Sequence, residues 1–149
     1  MYGTAQTATA LQTFVTIPKH MVETWDELFS KWGDTDVPLT VERVNSGAAL
    51  LDEKKPDWVY GVLPERLDME ATELCIIGQS YGSFNKAYIP FGMDVATTSI
   101  EEFEATAIDY GFLEDDLSPF ALLDRVWVFM LTERHARKQP VFLKLPGGE

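Results

Sequence analysis

The chain has 149 residues, of which 46% are hydrophobic and 12% aromatic. A chain of this length can bury about two-thirds of its unfolded surface, and this composition is too apolar for a disordered protein. Its 24 acidic and 12 basic side chains give a net charge of −12, which disfavours direct binding to nucleic-acid phosphates. A single cysteine excludes an internal disulfide and a cysteine-rich zinc site.

The amino terminus predicts neither export nor membrane insertion. Residues 1–12, "MYGTAQTATALQ", are small and polar, so we predict a flexible segment followed by one helical domain over residues 13–149. No basic start leads into a long apolar run, as in a secretory signal, and no run approaches the roughly 18 apolar residues of a membrane span. We therefore expect the cytoplasm, of a cell or of an infected host.

Two helices are predicted in the first third of the chain. "TFVTIP", residues 13–18, is β-branched and reads as a short strand or an extended lead-in. The first helix follows Pro18 and ends at Gly33, because its apolar residues repeat at helical spacing: Met21, Trp25, Leu28, Phe29 and Trp32. A polar turn, "GDTDVP", then leads into a second helix over Leu39–Lys54.

The second helix contains a glycine, which costs about 1 kcal/mol relative to alanine unless another backbone packs against it. That residue is Gly47, and Pro56 ends the helix. In the connection that follows, we expect Trp58, Val59 and Tyr60 to pack on the core. A third helix is predicted over Asp68–Ser80, although "ELCII" within it would equally suit a buried strand. "YGSFNKAYIPFGM", residues 81–93, reads as a loop or a ragged hairpin.

The fourth helix is indicated by a capping box, in which the Ser99 hydroxyl and the Glu102 carboxylate satisfy each other's backbone amides. Gly111 is its left-handed stop. The predicted apolar face of this helix consists of Ile100, Phe103, Ala107 and Tyr110.

The last helix is predicted to start with Ser118 as its cap and Pro119 in its first turn. Its apolar arc is wide, which is typical of a helix enclosed on most sides. The tail "VFLKLPGGE" alternates and can pair with "FVTI" near the amino terminus. The fold prediction is therefore mainly α, a single compact bundle of about five helices with a small two-stranded β element from the terminal segments.

Cys75 has two interpretations, a catalytic nucleophile and a packed thiol. A nucleophilic thiol needs a base and an open, electropositive setting, but His20 and His135 are far away in sequence and its neighbours are apolar. Free cysteine is also among the most buried residue types. We therefore favour a structural thiol and expect no catalytic residue.

No metal or cofactor site is predicted. Gly78 and Gly82 do not form a phosphate-binding loop, because neither G-x-x-x-x-G-K-[ST] nor G-x-G-x-x-G occurs. The two histidines lack metal-ligand spacing. "EDD", residues 114–116, lacks the pattern of a calcium loop.

The distribution of acidic residues is the most specific functional signal. Residues 87–124 contain no Lys or Arg, yet they contain nine acidic residues. Carboxylates on a rigid helix could imitate phosphates or dock on a basic protein surface, whereas the simpler interpretation is a solvated face. The candidate partner-binding residues are Glu101, Glu102, Glu104, Asp109, Glu114, Asp115 and Asp116.

The middle of the chain resembles a family of small proteins of actinobacteria and their bacteriophages. The resemblance rests on "LDEKKPDW", then "LD", then "CIIGQSYG", with a looser match over "YGF" and a later tryptophan. It implies a phage or prophage origin and carries no known activity, and the section before Val37 is longer than in the family pattern. The motif residues, which we interpret as structural, are Pro56, Trp58, Cys75, Gly78, Gln79, Tyr81 and Gly82.

Taken together, these observations lead us to expect a non-enzymatic phage protein active in host takeover. Its partner would be a host or phage protein with a basic surface, and it could act as a nucleic-acid mimic that inhibits a defence or DNA-processing factor. The alternative is a structural component of the virion or of its assembly. A small enzyme that uses Cys75 is the least favoured interpretation.

Overall fold

The computed structural model describes residues 13–16 and 22–145, with side chains described from residue 26 onward. The described part is mainly helical, which confirms the predicted fold class. The elements in chain order are β1 (Thr13–Thr16), α1 (Val22–Lys54), α2 (Trp58–Gly61), α3 (Ile76–Tyr81), α4 (Tyr88–Phe91), α5 (Ile100–Asp109), α6 (Phe120–Arg137) and β2 (Val141–Lys144). Short 3-10 turns occupy Pro64–Arg66 and Phe84–Ala87. The predicted flexible segment, residues 1–12, lies outside the described residues.

Helix α1 consists of two arms that meet at a kink at Gly33, and the second arm includes most of the turn that the sequence predicted. The backbone leaves helical geometry at Gly33, with φ 97° and ψ 168°, so the predicted break is confirmed there. The prediction that residues 33–38 form a polar turn is wrong, because residues 34–38 already belong to the second arm of the helix. Pro38 lies inside that arm and has no amide to donate to the Asp34 carbonyl, so one helical hydrogen bond is absent there.

Helix α6 lies at the centre of the fold, as its wide apolar arc predicted. Eight of its residues are buried: Leu122, Leu123, Val126, Trp127, Phe129, Met130, Leu131 and Arg134. The predicted cap is wrong, because Pro119 is the N-cap. The buried Ser118 hydroxyl instead lies 2.6 Å from the Thr40 hydroxyl and accepts a hydrogen bond from Arg43.

Two ion pairs show that α1 and α6 run in the same direction. Arg43, in the middle of α1, binds Asp115 just before α6 begins. Asp52, near the end of α1, binds Arg134 near the end of α6. The carboxyl ends of both helices therefore lie at one pole of the molecule, where cations are favoured.

The segment between α1 and α5 differs most from its prediction. Residues 69–75 form turns, and helix α3 begins only at Ile76, so the predicted helix is confirmed over residues 76–80, whereas its start at Asp68 and the strand alternative are wrong. Residues 84–91 form a 3-10 turn and the short helix α4 rather than a loop or ragged hairpin. Trp58 and Val59 are buried as predicted, but Tyr60 is 67% exposed.

Helix α5 begins where its capping signal placed it. The Ser99 hydroxyl accepts a hydrogen bond from the amide of Glu102 at 3.1 Å, and Gly111 has a left-handed φ of 75°. Phe103 and Ala107 face the core as predicted. Ile100 is 56% exposed, so its assignment to the inner face is wrong; at the first position of the helix it lies outside the α4–α5 contact.

The terminal segments form the predicted two-stranded element. Strands β1 and β2 pair in parallel, with Thr13 opposite Val141 and Thr16 opposite Lys144. The side-chain amide of Asn45 in α1 donates to the Leu143 carbonyl at 3.0 Å and accepts from the Leu143 amide at 2.9 Å. This pair of hydrogen bonds attaches the strand to α1.

Candidate functional site

The thiol of Cys75 is enclosed and serves as the N-cap of α3. It is 1% exposed, and its sulfur accepts a hydrogen bond from the Gly78 amide at 3.2 Å. Burial raises the pKa of the Cys75 thiol, although the Gly78 amide acts in the opposite direction. In the described part of the chain the histidine is His135. Its ring contacts the Val62 carbonyl at 3.2 Å rather than the thiol. This setting disfavours the thiolate that nucleophilic chemistry requires.

The other residues of the "CIIGQSYG" motif make internal contacts. A Cβ on Gly78 would lie 2.5 Å from the Thr72 carbonyl oxygen, so only glycine fits there. The Gln79 side chain accepts from the Leu63 amide and donates to the Leu74 carbonyl, both at 2.9 Å. Gln79 therefore holds two loops together, which indicates a structural role for this side chain.

The remaining motif residues surround the carboxyl ends of α1 and α3. Gly82 ends α3 with φ 103°, and the Tyr81 ring lies 5.7 Å from the Lys55 ammonium. Pro56 is exposed just after α1. The Trp58 indole donates to Asp52 at 3.0 Å and packs edge-on against Trp127.

A partly buried ion pair that the sequence interpretation missed lies beside Trp58. Arg134 is 2% exposed and makes two hydrogen bonds to the Asp52 carboxylate, at 2.6 and 3.1 Å, and one to the Val141 carbonyl. Its guanidinium also lies 5.6 Å from the Trp58 ring. All of these partners are internal, which indicates a structural role. Within the basic run "ERHARK", no local signal separates Arg134 from Arg137.

The acidic turn at residues 114–116 is not the free carboxylate array that the sequence suggested. Asp115 receives two hydrogen bonds from the Arg43 guanidinium, at 2.8 and 3.0 Å, and this contact holds the pKa of Asp115 below its ordinary value. Glu114 accepts from the amide of Phe120 at the start of α6. Glu114 and Asp116 are exposed, but only Asp116 makes no hydrogen bond within the described part of the chain, so the turn offers a docking partner fewer free carboxylates than the sequence suggested.

The acidic side chains of α5, by contrast, are exposed. Glu101, Glu102 and Glu104 project from its first two turns, and Asp109 is exposed at its last residue. Thus the candidate residues of the helix lie on the surface, whereas Asp115 and Glu114 accept hydrogen bonds from Arg43 and from the Phe120 amide.

Exposed apolar residues accompany these acids, which the sequence interpretation did not foresee. Ile89, Val95 and Ile100 are 63%, 68% and 56% exposed, and they belong to the same segment as Asp94 and the α5 acids. The inner side of the segment is fixed, because the Phe103 ring stacks on Tyr88 at 4.2 Å and contacts Phe91. We call the exposed side chains of residues 88–104 the 88–104 surface.

Other kinds of site find little support. Within the described residues, no group of three or more His, Cys, Asp or Glu side chains is arranged to hold a metal ion. No helix in this part of the chain has both the length and the apolar character needed to cross a membrane. Comparisons with protein families, curated proteins and solved structures gave no significant match.

Proposed function

We propose that this is a non-enzymatic binding protein of phage or prophage origin, which uses its 88–104 surface to engage a basic surface on a host or phage protein. The proposal rests on one combination of features in residues 87–124. This segment has both exposed apolar side chains and carboxylates, and it contains no Lys or Arg. Interfaces commonly have an apolar centre and a polar rim. The origin is supported by the sequence resemblance, and a phage protein of this kind would act in the host cytoplasm during takeover.

The apolar residues favour a protein partner. Complete burial of a fully exposed isoleucine or valine side chain is favourable by about 1.5–3 kcal/mol, and each of these three side chains still has more than half of its surface to bury. Exposed charges, by contrast, contribute mainly to association rate and specificity. Ile89, Val95 and Ile100 would therefore supply affinity, while Glu101, Glu102 and Glu104 would select a basic partner and exclude acidic ones.

Mimicry of nucleic acid is the more specific form of the same proposal, and it has less support. A mimic needs carboxylates that follow one another at phosphate-like intervals over several turns. The bond between Asp115 and Arg43 removes one carboxylate from the array, and Glu114 bonds to a backbone amide. The short row on α5 suits a local protein contact better.

The test is capture of a partner from a lysate of an actinobacterial host by the tagged protein and by matched variants. We expect the triple change Glu101→Lys, Glu102→Lys and Glu104→Lys to reduce capture at least tenfold. The double change Val95→Ser and Ile100→Ser should also reduce it, without a change in net charge. Wild-type capture should weaken as salt is raised.

The control reverses three exposed acids elsewhere, by Glu53→Lys, Asp57→Lys and Glu65→Lys, so that the net charge changes equally. Because Glu101 and Glu102 stabilise the first turn of α5, circular dichroism must show that each variant is folded, and glutamine replacements serve as a milder version. Equal loss in the control variant, or undiminished capture by both surface variants, would eliminate the 88–104 surface as the contact.

A further inference from the structure

A shallow groove lies between the turn at residues 63–65 and helix α6. Its two walls are lined by Leu63, Pro64, Glu65, Val128, Thr132 and His135. The groove has a volume of about 590 Å³ and is largely open to solvent. Because small-molecule sites enclose most of their ligand, a groove this open is better suited to side chains from a protein surface.

The groove belongs to a second exposed apolar surface of the molecule. Leu63 is 39% exposed, and Tyr60, which lines a neighbouring recess, is 67% exposed. In the part of the chain that the structure describes, the other exposed large apolar side chains are those of the 88–104 surface and Leu117. We call the groove and the adjoining Tyr60 the 60–65 groove.

Basic side chains stand at the rim of the 60–65 groove. Lys138 is exposed and lines the neighbouring recess, and the exposed Arg66 directly follows the wall residue Glu65. Arg137, near the same end of α6, bonds to Glu133 at 3.0 Å and therefore adds no net charge. Two cations thus accompany one carboxylate of the lining.

The 88–104 surface has the opposite charge. Residues 87–124 contain nine acidic residues and no Lys or Arg, whereas residues 134–148 contain four Lys or Arg and no acidic residue. We propose that the 60–65 groove receives the 88–104 surface of a second copy of this chain. The exposed apolar side chains of each surface are then buried against the other, and this burial supplies the affinity.

Charge favours this head-to-tail arrangement over a symmetric one. Each copy has a net charge of −12, so two copies repel unless the acids of one meet cations of the other. Contact between two 88–104 surfaces would oppose Glu101, Glu102 and Glu104 to their own counterparts, whereas the groove brings Lys138 and Arg66 near them. Because the two surfaces share no residue, the contact is heterologous, and a third copy can add in the same way.

This inference rests on the 88–104 surface of the proposed function, but it does not depend on the host partner. A host protein and the groove of another copy would compete for the same surface. Self-association therefore keeps the 88–104 surface covered until a host protein displaces the second copy.

Sedimentation velocity of the purified full-length protein over a range of concentrations is the first test. We expect the sedimentation coefficient of the wild type to rise with concentration. Thr132→Glu, which adds a carboxylate to the groove at an exposed position of α6, should weaken the association by about tenfold. Ala121→Glu makes the same change of charge at an exposed position of α6 outside the groove lining, and it should associate like the wild type.

A mixing experiment identifies the two surfaces. The Thr132→Glu protein keeps its 88–104 surface, and the Val95→Ser, Ile100→Ser protein keeps its groove. Each protein alone should stay monomeric, whereas their mixture should form a dimer that does not grow further. When the second protein is isotopically labelled, its NMR shifts on mixing should be confined to residues 60–66 and the facing residues of α6.

Host capture separates this inference from the proposed function. Thr132→Glu should still capture the host protein, because its 88–104 surface is intact. Loss of capture by the wild type, with self-association retained, would count against the proposed function alone. A wild type that is monomeric at the concentrations used for NMR, equal association of Thr132→Glu and Ala121→Glu, or a mixture without a dimer would overturn the inference.

Discussion

Gly47 allows two segments of the fold to pack closely together, a role that its neighbours in the sequence do not reveal. A Cβ at this position would lie 2.1 Å from the Tyr110 carbonyl oxygen and 3.1 Å from the rings of Phe112 and Trp127. The missing side chain lets the turn after α5 pack directly on α1, where the Trp127 indole donates to the Gly111 carbonyl at 2.7 Å. The low helix propensity of glycine is offset by this close approach.

We predict that Gly47→Ala destabilises the protein, although alanine favours the helix by about 1 kcal/mol. The clash with a backbone carbonyl cannot be relieved by a side-chain rotation, and overpacking typically costs about 1–3 kcal/mol. Urea unfolding would measure the change. Gly61→Ala, which meets nothing within 4 Å, is the control and should be neutral or slightly stabilising. A Gly47→Ala protein as stable as the wild type would show that the two segments are not in contact.

Asp115 gives a pH-dependent prediction. Its pKa is lowered from 3.8, chiefly by hydrogen bonding to Arg43, so its contribution to stability is complete above the unfolded-state pKa and is lost as the pH falls through the lower folded-state value. Asp115→Asn should therefore lower the free energy of unfolding by about 2 kcal/mol at neutral pH. It should also flatten the loss of stability below about pH 4.

The matched control for Asp115 is its neighbour Asp116, which is exposed. Asp116→Asn should leave both the neutral-pH stability and its acid dependence close to those of the wild type. If the two variants gave the same acid-unfolding curve, the Arg43–Asp115 contact would not stabilise the folded state.

At the scale of elements, the start of a helix was predicted correctly where the capping residue could be recognised from the local sequence. The start of α5 was predicted correctly because the Ser99 cap acts on an amide three residues away. The start of α3 was not, because its cap is a cysteine, which is not a usual capping residue. The acids Glu70 and Glu73 suggested an earlier start, yet residues 69–75 are held in turns by Asp124 and by their own backbone.

Strand β2 illustrates an element that is stabilised by a distant side chain. Leu143 is 3% exposed, and Asn45 satisfies both its amide and its carbonyl. We predict that Asn45→Ala destabilises the protein by about 2–4 kcal/mol, since each buried polar group left unsatisfied costs about 1–3 kcal/mol.

Urea unfolding and hydrogen exchange at the Leu143 amide would test this prediction together. Exchange of that amide should accelerate more than exchange in the middle of α6. Ser46→Ala, at the exposed neighbouring position, should change neither quantity. Slow exchange at Leu143 in the Asn45→Ala protein would mean that the strand is protected in another way.

For the whole molecule, the main electrostatic feature is the net charge of −12. Mutual repulsion of like charges destabilises a compact state, and salt shortens its range from about 30 Å at 0.01 M to about 8 Å at 0.15 M. We therefore predict that the melting temperature rises over this range of NaCl. Because it removes half of the net charge, the Glu101→Lys, Glu102→Lys, Glu104→Lys variant should show a smaller rise. A salt-independent melting temperature would indicate that the acids are too dispersed to repel one another appreciably.

The sequence by itself determined the helical class, the central position of α6, the break at Gly33 and the start of α5. Each follows from apolar periodicity or from a cap or glycine acting within one helical turn, so the physical cause lies within the quoted stretch. The enclosure of Cys75 was also anticipated from its apolar neighbours.

Only the tertiary structure decided which charged side chains form ion pairs within the chain and which face solvent. Asp115 and Arg43 are 72 positions apart in the chain, and Asp52 and Arg134 are 82 apart, so no local pattern distinguishes them from solvated charges. The exposure of Ile89, Val95 and Ile100 was likewise decided by packing, because α4 and α5 meet through Phe103 and leave these side chains outside. Long-range contacts engage some carboxylates in ion pairs and leave some apolar side chains exposed. Neither result can be predicted from a local sequence pattern.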